Sequence, residues 1–316
     1  MSPMTSSMSL PFPVARAVVL AGALSAFLGG GGRASASPPP RPTSVTTAAP
    51  AGAIGGQWLL ERGDTAGTAR LTIQRSQRSN HTMSSSDDVP LSIIRGLDWQ
   101  QAEATPGASF RFQIARDAGR FQCEGWFHLG KGSGHFTFAP DPGFRAGMRA
   151  LGYGDLSGEQ VFTLAVHDVS RGLVRELDQL GYRRVPYDKL VAMRIHGATP
   201  RYIRDLAALG HRSIDVDQLV AMRIHGVSPE GIRELSALGY RRVDDQTLIT
   251  MRIHGVEPDL IRALGAEGYR SVPPDQLVAM KIHGVSPDFI RRLKKRGYAR
   301  LSVDELISLK IHGVAR

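Results

Sequence analysis

Histidine recurs in this chain at a fixed step of 29 residues, at His167, His196, His225, His254, His283 and His312. Imidazole is the commonest metal ligand and a mover of protons, so the ladder first raises metal binding. Distance argues against it. Zinc needs its ligand nitrogens about 2 Å away, whereas neighbouring helices in a stack lie about 9–10 Å apart. Adjacent histidines on such a stack are too far apart to share one ion. The alternative is that each histidine ends a helix, where its ring meets the terminal carbonyls and the negative end of the dipole. No metal and no cofactor are expected.

Cations follow the same step. Arg194, Arg223, Arg252, Lys281 and Lys310 each precede a ladder histidine by two, and Arg204, Arg233, Arg262 and Arg291 form a second row that begins at Arg175. Two roles are open. The cations pair with helix ends and surface carboxylates, or they form a regular stripe for an anionic polymer or an acidic protein face. A local run of Arg291, Arg292, Lys294, Lys295, Arg296 and Arg300 adds to the net charge of +10. It reads either as an exposed helix face or as a site for phosphate or anionic lipid.

Catalytic signatures are thin. Gly125 to Ser133 holds a near match to the phosphate-binding Gly-x4-Gly-Lys, but Gly132 stands where Ser or Thr is needed and the flanks are strand-like. A glycine-rich hairpin fits better. Cys123, the only cysteine, alternates with Phe121 and Gly125 and so reads as a buried strand residue. No Gly-x-Ser-x-Gly and no metal-ligand cluster occurs. A non-catalytic protein is expected.

The elements that carry the ladders follow from one unit, Ile214 to Arg242. Asp215 with Gln218 makes a capping box that opens a first helix. That helix, "DQLVAMRIH", is apolar nearly all round and is expected to be covered on several faces. Gly226 ends it as a left-handed residue, and Val227 packs back. Gly197, Gly255, Gly284 and Gly313 hold the same place in the other units. Ser228 caps a second helix with Pro229 in its first turn. Its buried stripe is Ile232, Leu235 and Leu238, and Gly239 stops it before Tyr240. Ser157 with Gln160 and Ser302 with Glu305 repeat the capping box. The frame reaches back to Asp141, so the span to Val314 is 174 residues, or six units of 29. Such units bury their apolar faces only against their neighbours.

Upstream, alternation of period two marks strands around Trp58 and Leu60, Ala69 to Ile73, Phe110 to Ile114, Phe121 to Phe127, and Phe136 with Phe138. All three tryptophans, Trp58, Trp99 and Trp126, fall here, which points to the core of a small β domain. The polar stretch Ser76 to Asp88 reads as a mobile loop. Arg16 precedes an apolar run, Ala17 to Leu28, and Ala34-Ser35-Ala36 supplies a small-x-small cleavage site, the pattern of an export signal. Residues 37–55, rich in Pro, Ala, Ser and Thr, read as a linker. Asn80-His81-Thr82 matches a glycosylation sequon. The expected organisation is therefore a signal at 1–36, a linker at 37–55, a β domain at 56–140 and a solenoid at 141–316. The fold class is α+β, a small antiparallel β domain that caps an all-α solenoid of 29-residue two-helix repeats.

The string "LVAMRIHGVSPEGIRELSALGY" resembles the His-Gly-Val tandem repeats of exported bacterial proteins. Similar repeats occur on the extracytoplasmic tails of antirepressor-type, β-lactam-sensing membrane metallopeptidases. The resemblance spans Asp141 to Val314 and implies the repeat fold alone. His-Glu-x-x-His is absent, as are the transmembrane helices, so peptidase activity does not carry over. "HGVSP" is also similar to a helix-hairpin-helix, whose second glycine holds a DNA phosphate. Here that slot is Thr199, Ser228, Glu257 or Ser286, and an acidic residue there repels phosphate. "VPPDQLVAM" faintly resembles transcription-activator-like effector repeats, which need a variable residue pair that this loop lacks. The expected function is an exported scaffold that binds protein or an anionic envelope polymer, in a supporting or sensing role. The competing class is a nucleic-acid binder that uses the hairpins.

Overall fold

A computed structural model of the chain describes residues 54–76 and 82–314. The export signal, most of the linker, and Asn80 and His81 of the sequon lie outside those residues. Seven strands come first: β1 (Ile54–Arg62), β2 (Thr68–Ser76), β3 (Thr82–Pro90), β4 (Ile94–Arg95), β5 (Ser109–Arg116), β6 (Gly119–His128) and β7 (Lys131–Pro140). They form one antiparallel, curled sheet in the order β3-β2-β1-β7-β6-β5-β4. A short helix, α1 (Trp99–Ala104), sits between β4 and β5, with Asp98 as its cap. Twelve more helices follow, α2 (Phe144–Ala150) to α13 (Val303–Ile311).

The alternating residues of β6 face inward in strict turn, Phe121, Cys123, Gly125 and Phe127 buried. Parity then forces Trp126 outward, and it is 52% exposed. Of the three tryptophans only Trp58 lies fully in the core, and its Nε1 donates to the His135 carbonyl at 3.0 Å. The indole lies over a place where Gly125 pairs with Gly134 across strands; a Cβ on Gly125 would lie 2.7 Å from the Trp58 ring. The Gly125–Ser133 segment is the β6–β7 hairpin, with Leu129 and Gly130 both at positive φ, as a primed two-residue turn requires. Cys123 is buried, which pushes its thiol far above the usual range.

One sequence expectation is overturned by the sheet. Much of the polar stretch expected as a mobile loop is strand, because β3 pairs with β2 from Thr68↔Pro90 to Ser76↔Thr82. It is an edge strand, and its serines and aspartates face water while Val89 alone is fully buried. Edge strands carry polar residues that discourage pairing with other chains. The helix that fills the inner face of the sheet is α3 (Gly158–Val166): Phe162 lies 6.0 Å from Phe121, 6.0 Å from Phe136 and 5.4 Å from Phe138, ring to ring. The later units carry Val191, Val220, Ile249, Val278 and Ile307 at this place. Only the unit that meets the sheet has an aromatic ring to fill its curve.

The repeats alternate first-type helices (α3, α5 Tyr187–His196, α7 Val216–Ile224, α9 Asp245–Ile253, α11 Pro274–Ile282 and α13) with second-type helices (α2, α4 Arg171–Gln179, α6 Pro200–Ala208, α8 Pro229–Ala237, α10 Pro258–Ala266 and α12 Pro287–Lys295). First-type helices pack on first-type, and second-type on second-type. Gly226 takes φ 72°; its N–H reaches the Arg223 carbonyl at 3.1 Å and Val227 reaches Met222 at 2.8 Å, the paired bonds of a Schellman end. Ser157 and Ser302 form complete capping boxes. Asp215 accepts from the Gln218 N–H at 2.9 Å, but the reciprocal arm from the Gln218 side chain is not made.

Candidate functional site: the repeated face of the first-type helices

Five of the six first-type helices, α5 to α13, end in the same three residues, a cation, an isoleucine and a histidine; α3 ends instead in Ala165, Val166 and His167. The cations do not serve their own helix. Arg194 Nε donates to the carbonyl of His167 at 3.0 Å, Arg223 to that of His196 at 3.2 Å and Arg252 to that of His225 at 3.4 Å. Each guanidinium thus caps the helix end of the preceding unit, where terminal carbonyls lack partners. Like charges in a row are offset by this, and by Asp168 beside Arg194 and Glu257 beside Arg252. Arg223 also lies over the Tyr202 ring, 5.0 Å from its centroid. Lys310 sits over Phe289 at 4.8 Å, while Lys281 is exposed.

Histidine rings behave differently from expectation. Among the described residues only His312 turns a ring nitrogen to its own helix, at 2.8 Å from the Ser308 carbonyl. The backbone carbonyls at these helix ends are the groups used, and the neighbouring arginine reaches them first. His196, His225, His283 and His312 are exposed.

The second basic row zips units together. Arg204 bonds Glu176, Arg262 reaches Glu234 at 2.6 Å, and Arg291 lies 3.4 Å from Glu267, all carboxylates of the preceding unit. Arg233 pairs within its own helix, with Glu230 at 3.3 Å. Glu267 also takes Lys294 at 3.0 Å, so part of the basic run at the end of α12 is paired. Tyrosines tie the units forward. The hydroxyls of Tyr182, Tyr240 and Tyr269 donate to the carbonyls of Ile214, Val272 and Leu301 at 2.8, 2.6 and 2.8 Å. In the same column His211 instead meets Asp245 at 2.5 Å.

Beside the exposed histidines and Lys281, this face leaves an apolar column open. Ile195, Ile224, Ile253, Ile282 and Ile311 are 55%, 54%, 52%, 57% and 59% exposed. These helices are buried on several faces, as expected, and this one position per unit is left open to water. Single exposed aliphatics are ordinary; five in one column on helices that touch are a stripe. In the unit that packs on the sheet the same position is Val166, which is 5% exposed. Sequence reasoning passed over the column because the helix reads as apolar all round; the signal present was its position directly before the histidine ladder. Half-buried Ala192, Ala221 and Ala279 lie on the same side of their helices, three residues earlier. Among the described residues no helix is long and apolar enough to cross a membrane.

The fold and this face define an α+β protein in which a β domain is followed by a helical repeat region. No protein-family model matches the chain, and no curated protein matches it in sequence.

Proposed function

We infer that the chain is an exported, non-catalytic binding scaffold whose repeats dock a protein partner along the isoleucine column. The carrying observation is that column: five isoleucines more than half exposed, one per unit, on helices of which three turn their arginines back onto the preceding unit's carbonyls. A water-facing stripe of this kind is held at a free-energy cost unless something covers it. The Ala17–Leu28 run and the Ala34-Ser35-Ala36 site support export. The resemblance to exported His-Gly-Val repeats agrees with it. An anionic envelope polymer is the second reading, and exposed Lys281 with the histidine column favours it.

The test uses chain beginning at Ser37 as bait on envelope extract, beside the variant Ile224→Ser/Ile253→Ser/Ile282→Ser. These side chains face water, so the variant should fold normally. A protein partner should be captured by the parent, resist 0.5 M salt (about three to four times physiological ionic strength), and be lost with the variant. Capture that vanishes in salt but survives the three serines would support the polymer instead. Capture indifferent to both would sink the scaffold reading.

A further inference from the structure

Where the sheet meets the first helical unit lies a cavity of about 200 Å3. One water needs only about 10–15 Å3 of such space, so the volume is that of a small organic molecule. Its lining carries charges of both signs, from the end of β3 and from Arg116, Asp168 and Arg194.

Asp168 sets one wall. Every later unit has glycine at this step, Gly197, Gly226, Gly255, Gly284 and Gly313, all left-handed. Asp168 keeps the left-handed backbone, φ 54°, and adds a carboxylate. Few side chains tolerate that conformation, and aspartate is one that does. Two guanidinia hold it: Arg116 Nη1 at 2.9 Å and Arg194 Nη2 at 3.1 Å. The Arg116 side chain is only 8% exposed. Two cations share one anion, so this wall keeps an excess of positive charge.

The other wall is the end of β3. Asp88 is held by Arg70 at 3.4 Å. Asp87 accepts a hydrogen bond from Ser85 Oγ at 3.2 Å and forms no ion pair among the described residues, so this wall keeps an excess of negative charge. Ile195, 55% exposed, supplies the apolar side chain of the lining, while Val89 beside it is buried in the core. His167 also lines the space; burial lowers its pKa, so it is neutral near pH 7 and adds no cation.

We propose that this cavity binds a free aliphatic α-amino acid: carboxylate at Arg116 and Arg194, ammonium at Asp87, side chain against Ile195. The match is threefold, a positive wall, a negative wall and an apolar strip within one volume. A simple anion meets Asp87 unpaired, and a simple cation meets the two arginines. Only a ligand with both charges answers both walls.

Calorimetric titration of the chain beginning at Ser37 tests this without any protein partner; Ile195 is shared with the docking column, but the serine variant of that column leaves it in place. The probes are leucine, valine and their D forms, with N-acetyl-leucine lacking the cation and leucinamide lacking the anion. At least one free amino acid should bind, and each blocked form should bind at least about tenfold more weakly, the scale of one lost charge-assisted hydrogen bond. Asp87→Asn, at an exposed edge position, should weaken the free amino acid at least about tenfold and leave the melting curve unchanged. Absence of binding by every free amino acid at millimolar concentration would overturn the proposal. So would blocked forms that bind equally well, which need no variant to read.

Discussion

Gly226 has a second role beyond its φ of 72°. A Cβ there would lie 3.0 Å from Nη2 of Arg252, the arginine that crosses it to reach the His225 carbonyl. Gly197 stands in the same relation to Arg223, at 3.1 Å. The helix-ending glycine and the cation one unit later are therefore one device: the missing side chain leaves the path by which the guanidinium reaches the carbonyl. A branched residue meets both problems. Gly226→Val should lose at least about 1–2 kcal/mol from the left-handed backbone alone, and displacement of Arg252 adds to that. Gly239→Ala is the control, because φ is 101° but nothing lies within 4 Å of the added Cβ. Urea melts should rank Gly226→Val well below Gly239→Ala. Equal midpoints would mean that the arginine path does not matter.

At the scale of elements, the first-type helix was legible in its ends and illegible in its faces. Ser302, Glu305 and the glycine after every ladder histidine but His167 announce where helices start and stop, because caps are local chemistry. Which side of "LVAMRIH" meets water depends on the neighbouring units, and a helix apolar on most sides leaves no contrast from which to read it. The same limit hid β3: its serines and aspartates carry no alternating apolar signal, and only pairing with β2 makes it a strand. The cation row was visible as a row, but its target was not, since Arg223 and His196 are 27 residues apart. That target predicts a stability effect. Arg194→Gln, Arg223→Gln and Arg252→Gln each remove a positive end from a neighbour's carbonyls, worth about 0.3–1 kcal/mol apiece. The triple variant should therefore lose roughly 1–3 kcal/mol in urea unfolding. The same change at Lys281 and Lys310, for which no carbonyl bond is made, should lose less. If the two variants unfold alike, the arginines do not staple one unit to the next.

At the scale of the whole molecule, the described sheet and helices are joined by charge as well as by Phe162. Asp117, in the turn between β5 and β6, accepts from the Arg171 backbone N–H at 2.7 Å and from its guanidinium Nη2 at 2.5 Å. Arg171 opens α4, so one carboxylate fixes both the helix start and the side chain that follows it. The side-chain hydrogen bond from Arg171 holds the Asp117 carboxyl below its ordinary value of 3.8, against a smaller opposing effect of burial. The sign follows from linkage: a carboxyl more acidic in the folded state stabilises the fold above its unfolded pKa, and that contribution disappears as pH falls through the folded value. Half-buried His167 acts in the same direction at higher pH. Burial lowers its pKa from 6.5, so the fold resists its protonation and loses stability as pH drops below that value. Melting temperature should thus decline in two stages, first below about pH 6.5 and again below about pH 4. Asp117→Asn removes the ion pair, lowers the melting temperature near neutrality and flattens the second stage while it leaves the first. His167→Gln does the reverse, because it removes the group that titrates first. Were Asp117→Asn to keep the parent's full decline below pH 4, the Asp117–Arg171 pair would not be what holds the sheet to α4 in acid. The same melts separate that joint from the repeats: loss confined to it should change the tryptophan signal, since Trp58, Trp99 and Trp126 all lie in the β domain, before the helical signal at 222 nm falls.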